Sequence, residues 1–313
     1  MKAQRDTFIS ELFELAKQDE NIILISVDMG APSLDIWREE LPNQFIAAGI
    51  SEQNAINIAA GLSRAGKKVY VYFMAAWVAR CFEQIRYSCA MANNPITILG
   101  NGVALGYAPA GPAHEPNEDI AYMRSINGIE ICSPSNTQLT KELVKLTYNN
   151  PKLRYIRLER NHAKQMEEHN SNINIGINLV KPGLQDSLDR EPRIAILSSG
   201  YMLGRAHDVW MKLIGDYQVS LFDAWKIKPL DKHQLESLLT NYTHVVTLEE
   251  QTLDGGFGSA ICEAICDLNL HKQTLRIGLP ERFIFENGTR DHLLNTNGLS
   301  VEEILTKIKT FIQ

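Results

Sequence analysis

Apolar, β-rich runs alternate with amphipathic segments of helix length along most of the chain. A helix-period segment over about residues 5 to 18 leads into Ile22-Ile-Leu-Ile-Ser-Val, and a second helix follows over about 52 to 65. Next come Val69-Tyr-Val-Tyr-Phe, a helix over about 77 to 93, Pro95-Ile-Thr-Ile-Leu, a helix near 117 to 126 and Glu130-Ile-Cys. A helix over about 136 to 149 and the strand Arg154-Tyr-Ile-Arg-Leu close the series. This alternation predicts parallel strands joined by crossover helices. From about 162 to 192 the chain turns polar and irregular, through Asn170-Ser-Asn, Lys181-Pro-Gly and Asp189-Arg-Glu-Pro, which predicts a connector with one or two short strands. A second α/β series then begins. Its strands are Arg193-Ile-Ala-Ile-Leu, Gln218-Val-Ser-Leu-Phe, His244-Val-Val-Thr-Leu and Thr274-Leu-Arg-Ile-Gly, with helices near 203 to 214, 231 to 239, 256 to 267 and 300 to 312.

The chain has 313 residues, 44% of them hydrophobic and 22% charged, enough for two cores of ordinary domain size. The expected division is 1–165, a connector at 166–192, and 193–313, each domain a doubly wound α/β unit. A net charge of −6 supplies no basic field for a phosphate backbone, so nucleic acid is excluded as a partner. The N-terminus lacks an apolar core with a cleavage site, and no apolar run reaches membrane-spanning length. A cytoplasmic protein with no membrane partner is therefore expected. The five cysteines (Cys81, Cys89, Cys132, Cys262 and Cys266) form no CxxC pair, and a reducing compartment keeps them as thiols.

The most informative stretch is Ala48-Gly-Ile-Ser-Glu-Gln-Asn-Ala. Ser51 is placed to cap a helix beginning at Glu52, and Gly49 allows close approach of another group. An acidic residue at this position is also what a helix N-terminus favours on electrostatic grounds. The motif nevertheless resembles the Gly-Ile-x-Glu of the pyrimidine-binding domain in the transketolase and 1-deoxyxylulose-5-phosphate synthase family. That resemblance implies thiamine diphosphate as cofactor, with Glu52 bonding the first ring nitrogen of its aminopyrimidine. Such a task calls for a carboxyl in a dry pocket, where a proton is held more readily.

The resemblance extends over nearly all 313 residues and is weakest over 162 to 192. Asp28, in Ile25-Ser-Val-Asp-Met-Gly, is similar to the family's strand-end aspartate near the pyrimidine and the contact between subunits. Trp77 falls where the family stacks an aromatic on the aminopyrimidine. An indole serves that role as well as a core anchor's, and Phe73 is the nearby competitor. Arg80 closes the same segment and is carried as a further cofactor-binding candidate. Gly111-Pro-Ala-His-Glu-Pro resembles the family's Gly-x-Thr-His-Gln loop, which makes His114 the histidine facing substrate. Arg157 and Arg160, at and just past a strand end, match substrate-binding arginines; a guanidinium there grips an anion or forms an interface ion pair. In the second domain, Gly255-Gly-x-Gly lacks dinucleotide-loop spacing and reads as close packing of loop onto helix.

Full-length members of the family hold the metal ion and the diphosphate with a Gly-Asp-Gly triplet, which this chain lacks. The resemblance thus implies a larger partner subunit carrying that domain with its Mg2+ or Ca2+, no metal site of the chain's own, and an α2β2 assembly. Ala110 stands where the family carries an aspartate that reads a sugar hydroxyl, and Asn101 where it places a histidine or arginine near the phosphate. An acceptor sugar that is deoxygenated, branched or linked to another group is then expected. The implied reaction is transfer of a two-carbon ketol unit from a ketose to an aldehyde or ketone. The alternatives are a synthase-like decarboxylating condensation of a 2-oxo acid and a non-catalytic assembly subunit.

Overall fold

A computed structural model describes residues 3–160, 172–183 and 191–313. The first half runs α1 (Gln4–Ala16), β1 (Ile22–Ser26), α2 (Pro32–Glu40), β2 (Phe45–Ala47), α3 (Glu52–Arg64), β3 (Lys68–Met74), α4 (Phe82–Gln84), β4 (Ile96–Asn101), α5 (Asp119–Arg124), β5 (Glu130–Cys132), α6 (Thr137–Asn149) and β6 (Arg154–Leu158). The second half runs β7 (Asn178–Lys181), β8 (Arg193–Ser198), α7 (Met202–Leu213), β9 (Gln218–Asp223), β10 (Lys226–Lys228), α8 (Lys232–Leu239), β11 (His244–Thr252), α9 (Phe257–Asp267), β12 (Gln273–Leu279), α10 (Arg290–Leu294) and α11 (Val301–Phe311).

Alternate side chains of each central strand feed opposite layers, as a strand covered on both faces by helices requires. In β1, Ile22 and Leu24 pack with Phe8, Leu12 and Trp37 from α1 and α2. Ile23 and Ile25 pack instead with Ile56 and Ala59 from α3. In β3, Tyr70 and Tyr72 join the first layer, and Val69, Val71 and Phe73 the second. The sheet order is β10-β5-β6-β4-β3-β1-β2, parallel throughout except for β10. The second sheet, β12-β11-β8-β9-β7, is parallel except for β7, the short strand expected within the connector. The expected domain boundary at residue 165 lies outside the described residues, as do parts of the 170–172 and 189–192 motifs.

Besides the short helix α10, which no pattern predicts, the structure departs from expectation in three places. The single helix expected over 77 to 93 is a 3-10 segment (Ala75–Cys81), one α turn and a π-helical stretch (Ile85–Met91). Val78, Cys81, Ile85 and Cys89 are buried at spacings of three and four, so the apolar period is helical although the backbone winds first tighter and then wider. Between 27 and 48, α2 and β2 appear where no element is expected; α2 starts with Pro32 at its first turn and buries only Leu34 and Trp37. Finally, β10 leaves the second sheet and pairs antiparallel with β5, so a three-residue strand from beyond residue 193 completes the first sheet.

Candidate active site

The candidate residues are gathered by topology. Strands β6, β4, β3, β1 and β2 are parallel neighbours, so the segments after them leave from one edge of the sheet, where open α/β sheets bind ligands. Asp28 follows β1, Glu52 follows β2, Trp77 and Arg80 follow β3, the loop with Tyr107 and His114 follows β4, and Arg160 follows β6.

Glu52 is the first residue of α3 and only 6% exposed, yet it lines a cavity of about 750 Å³ together with Ile50, Gln53, Asn54, Arg80 and Gln84. Helix α3 starts where expected, but Ser51 does not cap it: its hydroxyl donates to the Ala48 carbonyl at 2.6 Å. Gly49 has φ +66° with open space around its missing side chain, so that glycine serves the backbone turn rather than a close neighbour. Arg80 Nη1 lies 3.5 Å from Glu52 Oε2. The same guanidinium sits 4.6 Å over the Trp77 ring, and Trp77 meets His114 at 5.4 Å with the planes 64° apart. His114 approaches Tyr107 at 6.5 Å, and Arg160 lies 4.4 Å over the Tyr107 ring in turn. Asn101 Nδ2 donates to Tyr107 Oη at 2.8 Å. Glu52, Arg80, Trp77, His114, Tyr107 and Arg160 thus form an unbroken line of contacts across four strand ends.

Two polar atoms on or just behind this line, His114 Nδ1 and Asn101 Oδ1, are buried without a hydrogen-bond partner among the described residues. Beside His114, both carboxyl oxygens of Glu115 are also buried and unpartnered. Burial first, and then Glu250 and Glu286, push that carboxyl up to about 7.

Not every sequence candidate reaches the line. Phe73 of β3 is completely buried in the core, so it offers no face to a ligand and Trp77 is the partly exposed aromatic of the two. Arg157 forms neither an open anion grip nor an interface pair but a buried ion pair within the first domain: Nε donates to Asp119 Oδ2 at 2.8 Å and Nη1 to Ser133 Oγ at 3.2 Å, with the residue 6% exposed. Asn101 is fully buried behind Tyr107. Asp28 is exposed at the end of β1 with φ 43°, a left-handed conformation that aspartate tolerates. Ala110 is exposed. Tyr107 was not among the sequence candidates; the only signal for it was its place in the same loop as His114.

The glycines at 255–258 pack as expected. A Cβ on Gly255 would meet Ala121, and Cβ atoms on Gly256 and Gly258 would meet Glu249. The Glu249 carboxylate accepts from the Phe257 and Gly258 amides at 2.6 and 2.8 Å, closing the start of α9. Among the described residues, no group of three or more His, Cys, Asp or Glu side chains is arranged to hold a metal ion. None of their helices is long and apolar enough to cross a membrane.

Two mostly parallel sheets, with a carboxylate, an indole and a histidine along one strand edge, define an open α/β protein with a candidate site at the ends of its strands. Residues 2–165 match the transketolase pyrimidine-binding domain and residues 186–304 the transketolase C-terminal domain. The chain belongs to the transketolase family. It is 30% identical over 316 residues to one subunit of the apulose-4-phosphate transketolase of Phocaeicola vulgatus, covering 100% of this chain and 98% of that protein. It is also 30% identical over 312 residues to the 1-deoxy-D-xylulose-5-phosphate synthase of Histophilus somni (strain 2336), covering 98% of this chain but 48% of the synthase, so it spans about half the length of that relative. Among solved structures, a split-gene transketolase described as an inactive β4 tetramer superposes with a TM-score of 0.86 at 25% identity, covering 100% of this chain and 99% of that one. The transketolase of Campylobacter jejuni shares the fold, with a TM-score of 0.82 at 18% identity over 98% of this chain and 46% of that one.

Proposed function

We propose that this chain is the smaller subunit of a two-component, thiamine-diphosphate-dependent transketolase that moves a two-carbon ketol unit from a ketose to an aldehyde or ketone sugar. The observation that carries this reading is Glu52: a carboxylate almost covered by protein, yet lining a broad cavity, one contact from an indole through Arg80. Those groups fit the aminopyrimidine half of the cofactor. Glu52 would hold the ring nitrogen through a hydrogen bond, and Trp77 would offer the ring a stacking surface. Arg80, half-exposed over the indole, would have to move aside for a ring stacked there. Asp28 is kept as a contact at the edge of that half-site. When bound, thiamine diphosphate supplies the nucleophilic carbon that cleaves the ketose and delivers its two-carbon unit.

His114 faces substrate, and its buried, unpartnered Nδ1 is suited to accept from a sugar hydroxyl. Arg160, exposed at the other end of the line, supplies positive charge for an anionic substrate group. The exposed methyl of Ala110 in place of a carboxylate suits an acceptor that lacks, branches or substitutes a hydroxyl there.

The diphosphate and its Mg2+ or Ca2+ are assigned to a larger partner subunit, since the Gly-Asp-Gly triplet is absent from this chain. Ile50, 75% exposed at the rim of the Glu52 cavity, would be covered by a partner seated over it. The near end-to-end match to a relative that is named as one subunit of a transketolase supports the same arrangement; the α2β2 stoichiometry is part of the proposal. A synthase-like decarboxylating condensation is the second reading, favoured by the 30% identity to deoxyxylulose phosphate synthases. Co-purification of the larger subunit, followed by a screen of ketoses against 2-oxo acids with thiamine diphosphate and Mg2+, tests both. Turnover of a ketose supports transketolase; turnover only with a 2-oxo acid replaces it with the synthase reading, and no co-purifying thiamine-diphosphate-binding partner removes both.

A further inference from the structure

Residues 102–118 run from the end of β4 to α5 and carry Tyr107 and His114. While Tyr107 and His114 lie in the line of contacts at the sheet edge, Leu105 and Ala108 of the same loop are each 1% exposed inside the core of the second domain. The loop is therefore fastened from behind by the other half of the chain.

Three consecutive residues at the end of β11 hold its backbone. Glu250 Oε1 accepts from the Leu105 amide at 3.3 Å. Gln251 Nε2 donates to the Pro116 carbonyl at 3.2 Å, and the Thr252 amide donates to the Asn117 carbonyl at 2.9 Å. The grips fall on both sides of His114. Glu250 is itself fixed by Arg290 of α10, whose Nε donates to Oε1 at 2.7 Å and whose Nη2 pairs with Oε2. Arg290 also spans the seam to Glu159, with Nη1 2.5 Å from Oε2 and Nη2 3.2 Å from Oε1, while its face lies 3.6 Å from the Tyr201 ring. Glu159 directly precedes Arg160, which covers Tyr107, so one guanidinium fixes the loop and its neighbour together.

All three charges are nearly buried, with side-chain exposures of 12% for Arg290, 4% for Glu159 and 5% for Glu250. Two carboxylates facing each other in a dry seam without the cation between them repel, and each is left short of donors. The loop also begins on a strained residue: Ala104 has φ 47°, a conformation that a non-glycine keeps only where the surroundings hold it. Loss of the grip at Leu105 lets Ala104 relax, and the displacement runs along the loop to His114.

We infer that the C-terminal domain sets the position of His114 through an Arg290–Glu250–Glu159 clamp, making Arg290 and Glu250 positioning residues for the transfer reaction; the kinetic part of this inference rests on the function proposed above. The test compares Arg290→Met, Arg290→Lys and Glu250→Gln with Ser300→Ala, a change in a distant helix cap, in the assembled enzyme. The clamp predicts that Arg290→Met speeds amide hydrogen exchange over 102–118 at least tenfold and lowers kcat at least tenfold, with thiamine diphosphate affinity within twofold of the parent. Arg290→Lys, which keeps the charge but not the fork, recovers part of both losses. Ser300→Ala lowers the melting temperature without moving loop exchange or kcat. Unchanged loop exchange in Arg290→Met, or losses no larger than those of an equally destabilised Ser300→Ala enzyme, overturn the clamp. If Arg290→Met does not fold, the exchange rate over 102–118 in Glu250→Gln decides on the same terms. Absence of turnover in the parent enzyme defeats the functional reading alone, because the exchange measurement needs no substrate.

Discussion

Trp77 is committed on two sides, with Arg80 over its ring and His114 against its edge. If the indole is the stacking surface for the cofactor, Trp77→Phe keeps most of it and Trp77→Ala removes it. Equilibrium dialysis of thiamine diphosphate against the assembled enzyme is expected to show near-parental affinity for Phe and a loss of roughly two- to tenfold for Ala, the range of one aromatic pair. Equal affinity in both variants assigns Trp77 to packing. Glu115 yields a second residue-scale prediction. Its ordinary value is near 4.5 and burial raises it to about 7 in the folded chain, so folding takes up a proton between those values. The stability tied to that proton is complete below about 4.5 and is lost as pH rises through about 7. Glu115→Gln is therefore expected to raise the melting temperature at pH 8, by roughly 2–4 °C per kcal/mol recovered, and to leave it unchanged at pH 4.5. Glu249, also pushed to about 7 by burial, contributes the same slope to parent and variant and cancels in the comparison. Glu52, Trp77, Arg80 and His114 were legible because each lies in a short motif that resembles the family. Glu250 and Arg290 were not, because their partners lie 145 and 131 residues away in the chain and no local pattern marks such a pair. Arg157 shows the limit from the other side: the same residue type at a strand end serves an anion or a buried aspartate, and only the fold chooses.

At the scale of elements, period was a sound guide wherever an element was long enough to repeat it. The central strands and α1, α3, α6, α7, α9 and α11 fall close to their expected spans. Short elements escaped. β10 has three residues, of which only Ile227 is buried, and α2 turns just two apolar side chains inward, so neither repeats a pattern. The segment after β3 kept the helical period but not the helix. Helix α11 carries a complete capping box: the Ser300 side chain accepts from the Glu303 amide, and the Glu303 carboxylate accepts from the Ser300 amide. Ser300→Ala is expected to cost about 1 kcal/mol, with a fall of a few degrees in the melting temperature by calorimetry. No change in melting temperature shows that α11 frays without loss to the domain.

The whole molecule is held together by more than the chain connecting its halves. One apolar cluster runs from Ile25, Val71 and Ile98 of the first sheet to Leu197 and Val245 of the second, with Phe257 and Ile261 of α9 between. β10 crosses into the first sheet, while Leu105 and Ala108 cross into the second core. Such interlocking gives the loop that carries His114 a rigid backing, while the broad cavity beside Glu52 and the exposed Ile50 lie on the side assigned to the proposed partner. The proposed reaction depends throughout on the Glu52 carboxyl at that side. The most direct measurement is turnover of a ketose donor by the reconstituted two-component enzyme carrying Glu52→Gln, with folding and assembly checked by calorimetry and gel filtration. A fall in kcat of about 10²–10⁴-fold in an intact complex is the result this account predicts; turnover within a few-fold of the parent would contradict it.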